Sequence, residues 1–165
     1  MAAYAQLARL PAPSPRPVRV STLVERVARL DTRRPVAIAA GPDLTIEADG
    51  DQIEQLLINL VKNAIDAASE TNGAVSVGWT RVPGSLPPAF ELTVDDEGPG
   101  LSNTANLFVP FFTTKPGGSG IGLVLCRQIA EAHDGALTLE NRTDVRGCRA
   151  VLRLPVGRPS ATPDT

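Results

Sequence analysis

The chain has 165 residues, 42% of them hydrophobic, and a formal net charge of −2 from 16 basic and 18 acidic residues mixed along its length. That is enough apolar content to bury the core of one ordinary domain, and without a basic field it indicates neither nucleic acid nor an anionic membrane surface as a partner. No apolar run approaches the roughly 18 residues that cross a bilayer, and the N-terminus lacks a signal peptide's pattern, so the expected location is cytoplasmic.

Residues 1–10 have helical composition and stop at the proline-rich run Pro11 to Pro17, which reads as the end of an upstream helix and a stiff linker. A domain is expected over residues 18–157, followed by a flexible polar tail over 158–165. Val18 to Val20 reads as a short strand, and Ser21 as the cap of a helix to about Arg34 with Leu23, Val27 and Leu30 in the core. Residues 35–39 and 44–48 flank Gly41-Pro42-Asp43 and read as a hairpin. The longest periodic stretch predicts a helix over residues 49–69, with Ile53, Leu56, Leu57, Leu60, Val61, Ala64, Ile65 and Ala68 on one broad apolar face.

At about 100° per residue, Asn59, Asn63 and Asp66 fall within a sector of about 60° opposite that face. Asparagine is a poor helix former, so a merely solvated face would be better built from Glu, Lys or Arg. Residues 74–82 and 90–94 alternate as strands, the second running out at Asp96. Residues 97–119 are rich in Gly and Pro and hold Phe108, Phe111 and Phe112, as a long loop with aromatic anchors would. Gly118-Ser119-Gly120-Ile121-Gly122 opens a helix to about His133, ended by Gly135, and residues 136–140 and 148–154 close the sheet as a hairpin. Cys126 and Cys148 have neither metal-site spacing nor a disulfide framework around them and read as core thiols.

The chemistry follows from these placements. A glycine-rich loop entering a helix offers unpaired N–H groups and a positive dipole end to phosphates. Lys115, one of only two lysines with Lys62, precedes it and can reach a terminal phosphate, while the Asn63 amide oxygen suits Mg²⁺. Asp96 is an acceptor only when ionised, so it accepts from adenine's exocyclic amine and would repel guanine's carbonyl. Each feature alone also fits a solvated turn or helix face.

Together, and in order, residues 59–64 (NLVKNA), 96–100 (DEGPG), 107–115 (LFVPFFTTK) and 118–122 (GSGIG) resemble the N, G1, F and G2 boxes of sensor histidine kinases. The Thr113-Thr114-Lys115 form and residues 127–133 are most similar to nitrogen-regulation-type members. The resemblance implies the Bergerat (GHKL) fold, a two-layer α/β sandwich with a mixed, mostly antiparallel sheet on about three helices and an ATP lid between the G1 and G2 glycines. It implies Mg-ATP as ligand, held by Asn63 at the metal, by Asp96, Gly98 and Gly100 at the base, and by Lys62, Thr113, Thr114, Lys115, Gly118, Ser119, Gly120, Ile121, Gly122 and Leu123. Other members often carry a basic residue three positions after the metal-binding Asn, where this chain has Asp66.

Related ATPases place Glu at the position of Asn59 as general base for water, and an amide cannot take that proton. The expected activity is therefore phosphotransfer to a histidine, with Asn59, Asn63 and Lys115 as catalytic residues. The alternatives are a nucleotide-dependent binding module and a GHKL ATPase without kinase activity. His133, beside the helix-ending Gly135, reads as structural, which puts the acceptor on an upstream dimerisation hairpin outside this chain. The expected partners are that hairpin and a response regulator, with a homodimeric full-length protein that is open to membrane anchoring and a monomeric isolated fragment.

Overall fold

The computed structural model describes residues 10–39, 41–101 and 122–157. Its elements are β1 (Arg16–Arg19), α1 (Val20–Ala28), β2 (Val36–Ile38), β3 (Thr45–Ala48), α2 (Gly50–Thr71), β4 (Val75–Arg81), β5 (Ala89–Asp96), α3 (Gly122–Ala132), β6 (Ala136–Asn141) and β7 (Cys148–Pro155). The main sheet has the order β2-β4-β5-β7-β6, antiparallel except for the parallel β2–β4 pair. A two-stranded antiparallel sheet, β1 with β3, stands apart from it. The three helices share one core with the main sheet, giving the two-layer α/β sandwich expected from the sequence.

Burial follows the periodicities. Along β5, Leu92, Val94 and Asp96 alternate inward, so the strand row that builds the core also delivers a carboxylate to the helix side. All eight apolar residues expected on one face of α2 are buried, with Leu56 and Ile65 fully so. Each buried Leu, Ile or Val among them contributes roughly 1.5–3 kcal/mol through burial, which fixes the rotation of α2 and hence where its polar stripe points. Asp49 caps α2 by accepting from the Gln52 N–H at 3.2 Å, and Asn72 ends it in the left-handed conformation at φ 53°.

Several local expectations are corrected. Residues 35–39 and 44–48 form no hairpin, since β2 adds to the edge of β4 and β3 pairs with β1. Gly41 and Pro42 cross between the sheets against Trp79, whose indole N–H donates to the Pro42 carbonyl at 2.8 Å. Ser21 is no cap, because α1 begins at Val20 behind Arg19, and α1 stops at Ala28, well short of Arg34. Beyond it the Asp31 carboxylate takes the Arg33 N–H at 3.0 Å, turning the chain alongside α2, and Leu30 is 58% exposed rather than in the core.

At the end of α3 it is Asp134, at φ 58°, that takes the left-handed position, while Gly135 is needed because Arg153 and Leu154 leave no room for a Cβ. The proline-rich segment is partly built into the fold. Gln52 Nε2 donates to the Pro11 carbonyl at 2.8 Å, the Ser14 N–H donates to Asp49 at 2.9 Å, and β1 starts at Arg16.

Candidate functional site

Asp96 is the last residue of β5 and is 5% exposed. Its Oδ1 accepts from the Gly98 N–H at 2.9 Å and the Cys148 N–H at 3.2 Å. Among the described residues nothing donates to Oδ2, so one carboxylate oxygen is fixed and the other is available. Burial raises the Asp96 pKa, against the lowering effect of those two N–H groups and of the Arg142 guanidinium. Its neighbour Asp95 faces the other side of the sheet in a two-point ion pair with Arg149, at 2.8 and 2.9 Å. The pleat thus separates two adjacent carboxylates into a structural one and an available one.

The stripe on α2 leads away from Asp96. Gly98 packs so closely on Ala67 that a Cβ there would sit 2.7 Å from the Ala67 Cβ, and a Cβ on Gly122 would lie 3.4 Å from Asn59 Oδ1. Asn59, Asn63 and Ala67 follow one another at four-residue spacing, so the Gly98 turn and the start of α3 lie over points about 12 Å apart along α2. Asn63 lies midway and half-buried. The N-terminus of α3, with its positive dipole end, is brought to the Asn59 end of the stripe.

The far end of α3 is held by His133, 1% exposed, whose Nδ1 hydrogen-bonds the Ile129 carbonyl at 2.8 Å. Its Nε2 accepts the Asp49 N–H at 3.1 Å, which makes the ring neutral with its proton on Nδ1. Midway, Cys126 Sγ lies 3.5 Å from the Leu56 carbonyl. Burial pushes the Cys126 thiol up to about 12, and burial together with Asp96 does the same to Cys148. Both cysteines are buried and free, as expected for core thiols.

The structure therefore brings together Asp96, Gly98, Asn63, Asn59 and Gly122 along one side of α2. Gly100 follows at φ 83°, and Leu123 packs half-buried against the core. Lys62 is turned to a different side, where it lines an open groove of about 380 Å³ with Val27, Leu30, Asp31 and Ile58. Asp66 pairs with Arg33 at 2.8 Å. Thr113, Thr114, Lys115, Gly118, Ser119, Gly120 and Ile121 lie outside the described residues.

Sequence reasoning missed the turn between β6 and β7. Asn141, Arg142, Arg146 and Cys148 surround the Asp96 turn from residues distant in sequence. Only the pairing of β5 with β7 brings them there, and nothing in their local spacing announces it.

A buried strand-end carboxylate, a polar helical stripe and a helix N-terminus facing it define a nucleotide-binding α/β domain. Residues 48–158 match the family described as histidine kinase-, DNA gyrase B- and HSP90-like ATPase, and the chain belongs to that family. It is 36% identical over 124 residues to the sensor protein kinase PilS of Pseudomonas aeruginosa, covering 73% of this chain and 23% of that one. To the sensor protein TdiS of Thauera aromatica it is 38% identical over 110 residues, covering 64% of this chain and 20% of that one. The chain thus spans about a quarter or less of the length of these curated relatives. Among solved structures it is similar to the nucleotide-free catalytic domain of histidine kinase ThkA, with TM-score 0.74 and 29% identity over 87% of this chain and 97% of that one. Full-length ShkA in complex with AMPPNP matches at TM-score 0.77 and 26% identity, over 98% of this chain and 35% of that one. The chain is an ATP-binding domain of the histidine-kinase type.

Proposed function

We propose that this chain is the catalytic part of a sensor kinase that binds Mg-ATP and passes its terminal phosphoryl group to a histidine on a separate acceptor hairpin, for relay to a response regulator. The observation that carries the reading is the division of labour at Asp96, with Oδ1 fixed by two backbone N–H groups and Oδ2 left for the base, at one end of the Ala67-Asn63-Asn59 stripe. Adenine's amine donates to that oxygen. The phosphates then run along α2 toward Asn59 and the N-terminus of α3, where unpaired N–H groups and the dipole favour anions.

Mg²⁺, when bound, would neutralise phosphate charge. The donor set fits a cation shared with the ligand, because Asn63 offers one amide oxygen on the stripe and Mg²⁺ commonly takes its other ligands from phosphates and water. Asn59 presents an amide where a hydrolase would need a base, so it can orient a phosphate or its metal but cannot deprotonate water. Lys115 is assigned to the terminal phosphate from the sequence alone.

His133 is no acceptor in this scheme, being buried with both ring nitrogens engaged. Titration calorimetry with ADP, with and without Mg²⁺, tests the pocket. Incubation with labelled ATP and a separately supplied acceptor hairpin from the full-length protein tests the transfer, expected to be weak because the two parts are untethered. Acid-labile label on the hairpin alone supports the kinase. Binding without transfer at high hairpin concentration would favour a nucleotide-dependent binding module. Brisk hydrolysis abolished by Asn59→Ala would favour an ATPase.

A further inference from the structure

The turn over residues 142–147 and the strand end before it hold the Asp96 turn by its backbone at three successive places. Arg142 Nη1 donates to the Asp96 carbonyl at 3.2 Å, and Arg146 Nε donates to the Pro99 carbonyl at 3.0 Å. Asn141 uses both ends of its amide on one residue. Its Oδ1 accepts the Leu101 N–H at 2.6 Å and its Nδ2 donates to the Leu101 carbonyl at 3.2 Å. The two-point contact mimics a strand partner and grips the chain just after Gly100.

Gly100 itself sits at φ 83°, and a Cβ on it would lie 2.8 Å from Asn141 Oδ1, so the left-handed turn and the amide fit together closely. Arg142 is in turn held by Asp144 at 2.8 and 3.1 Å, and its own N–H closes the turn on the Gly147 carbonyl at 2.9 Å. The next residue, Cys148, supplies one of the two N–H groups on Asp96 Oδ1. One hairpin therefore fixes both the carboxylate and the loop that follows it.

We propose that Asn141, supported by Arg142 and Arg146, is a positioning residue for adenine recognition, acting through the Asp96–Leu101 turn and touching no ligand. The proposal rests on the nucleotide reading above and deepens it. A hydrogen bond to the base depends on where Asp96 Oδ2 points, and Oδ2 is aimed by the turn that the β6–β7 hairpin holds. Loss of the Asn141 clasp costs the amine contact, while contacts to ribose and phosphates along α2 persist.

The test is calorimetry of the whole chain with ADP and with IDP, whose hypoxanthine carries a carbonyl where adenine has its amine. Wild type should prefer ADP. Asn141→Ala should weaken ADP about tenfold, leave IDP nearly unchanged and keep the melting temperature, since Asn141 is an exposed side chain. Asn141→Asp retains an acceptor for the Leu101 N–H and should recover part of the loss. ADP affinity within twofold of wild type in Asn141→Ala would overturn the proposal, as would a parallel loss of ADP and IDP or an Asp variant as weak as the Ala variant. Failure of the wild-type chain to bind ADP at all would bring down the nucleotide reading itself, and this proposal with it.

Discussion

Asp96→Asn separates what the site does for binding from what it does for stability. Asparagine is isosteric, and its carbonyl oxygen can keep the Gly98 and Cys148 N–H groups that now occupy Oδ1. The amide nitrogen then takes the place of Oδ2 and presents a donor to adenine's donor. A charge-assisted hydrogen bond is worth about 1.5–3 kcal/mol, so ADP should bind roughly 10- to 150-fold more weakly. The apo protein should move the other way. Burial is the leading cause of the raised Asp96 pKa, so its folded value exceeds its unfolded one. A raised carboxyl contributes stability that is fully present in acid, below the unfolded pKa, and is lost as pH rises through the folded pKa. At neutral pH the ionised group therefore costs stability, and Asp96→Asn should raise the melting temperature there, by an amount that shrinks on acidification. The assay is ADP calorimetry at pH 7 beside thermal melts across the acid range. Unchanged ADP affinity in a folded variant would refute the assignment of Asp96 to the base, and a variant less stable at pH 7 would refute the burial argument.

Three further outcomes are expected. Wild-type ADP affinity should fall as pH drops through the raised Asp96 pKa, starting above the ordinary carboxylate range, and a profile flat down to that range would contradict the ionised acceptor. Asn63→Ala should abolish the gain in ADP affinity that Mg²⁺ confers while sparing metal-free binding, and an intact Mg²⁺ gain in calorimetry would remove Asn63 from the metal. His133→Ala should cost about 2–4 kcal/mol in urea denaturation, because it empties a buried volume and leaves the Asp49 N–H without its acceptor. A loss below about 1 kcal/mol would show that the clasp is dispensable.

The parts of the fold that were legible in the sequence are those where one period runs long enough to fix a face. The 49–69 periodicity gives α2 its boundaries within two residues and its entire buried face, because eight apolar positions leave only one rotation that buries them all. Alternation likewise put Asp96 where a strand runs out, and in the structure it lies in the inward row with Leu92 and Val94. Short elements were read less well. Val36 to Ile38 and Thr45 to Ala48 look like hairpin arms around a Gly-Pro-Asp turn, yet the first joins the edge of β4 and the second pairs with β1, and that choice is made by the finished sheets. Leu30 fits the helical period of α1, but the Asp31 turn ends the regular structure first and leaves it exposed. The Asn141 and Arg142 contacts were illegible for the same reason as the hairpin, since they depend on which strands meet.

What unites the site is a pair of antiparallel helices that stay in register to within one residue. From Asp49 to Leu56 along α2 is seven residues, and from His133 back to Cys126 along α3 is also seven, so the two hydrogen-bonded contacts lie at matching heights. Three residues further along α2 is Asn59, four further back along α3 is Gly122, and these meet as well. At 1.5 Å per residue, the His133 bond and the Gly122 contact are about 15 Å apart on one short rod. The position of the positive helix end over the polar stripe is therefore set by packing and hydrogen bonds away from the stripe itself. That explains why a buried neutral histidine belongs at the opposite end of α3. Asn59 sits beside that helix end, and its amide differs from a carboxylate there in one respect: it can accept or donate a hydrogen bond but cannot take a proton from water.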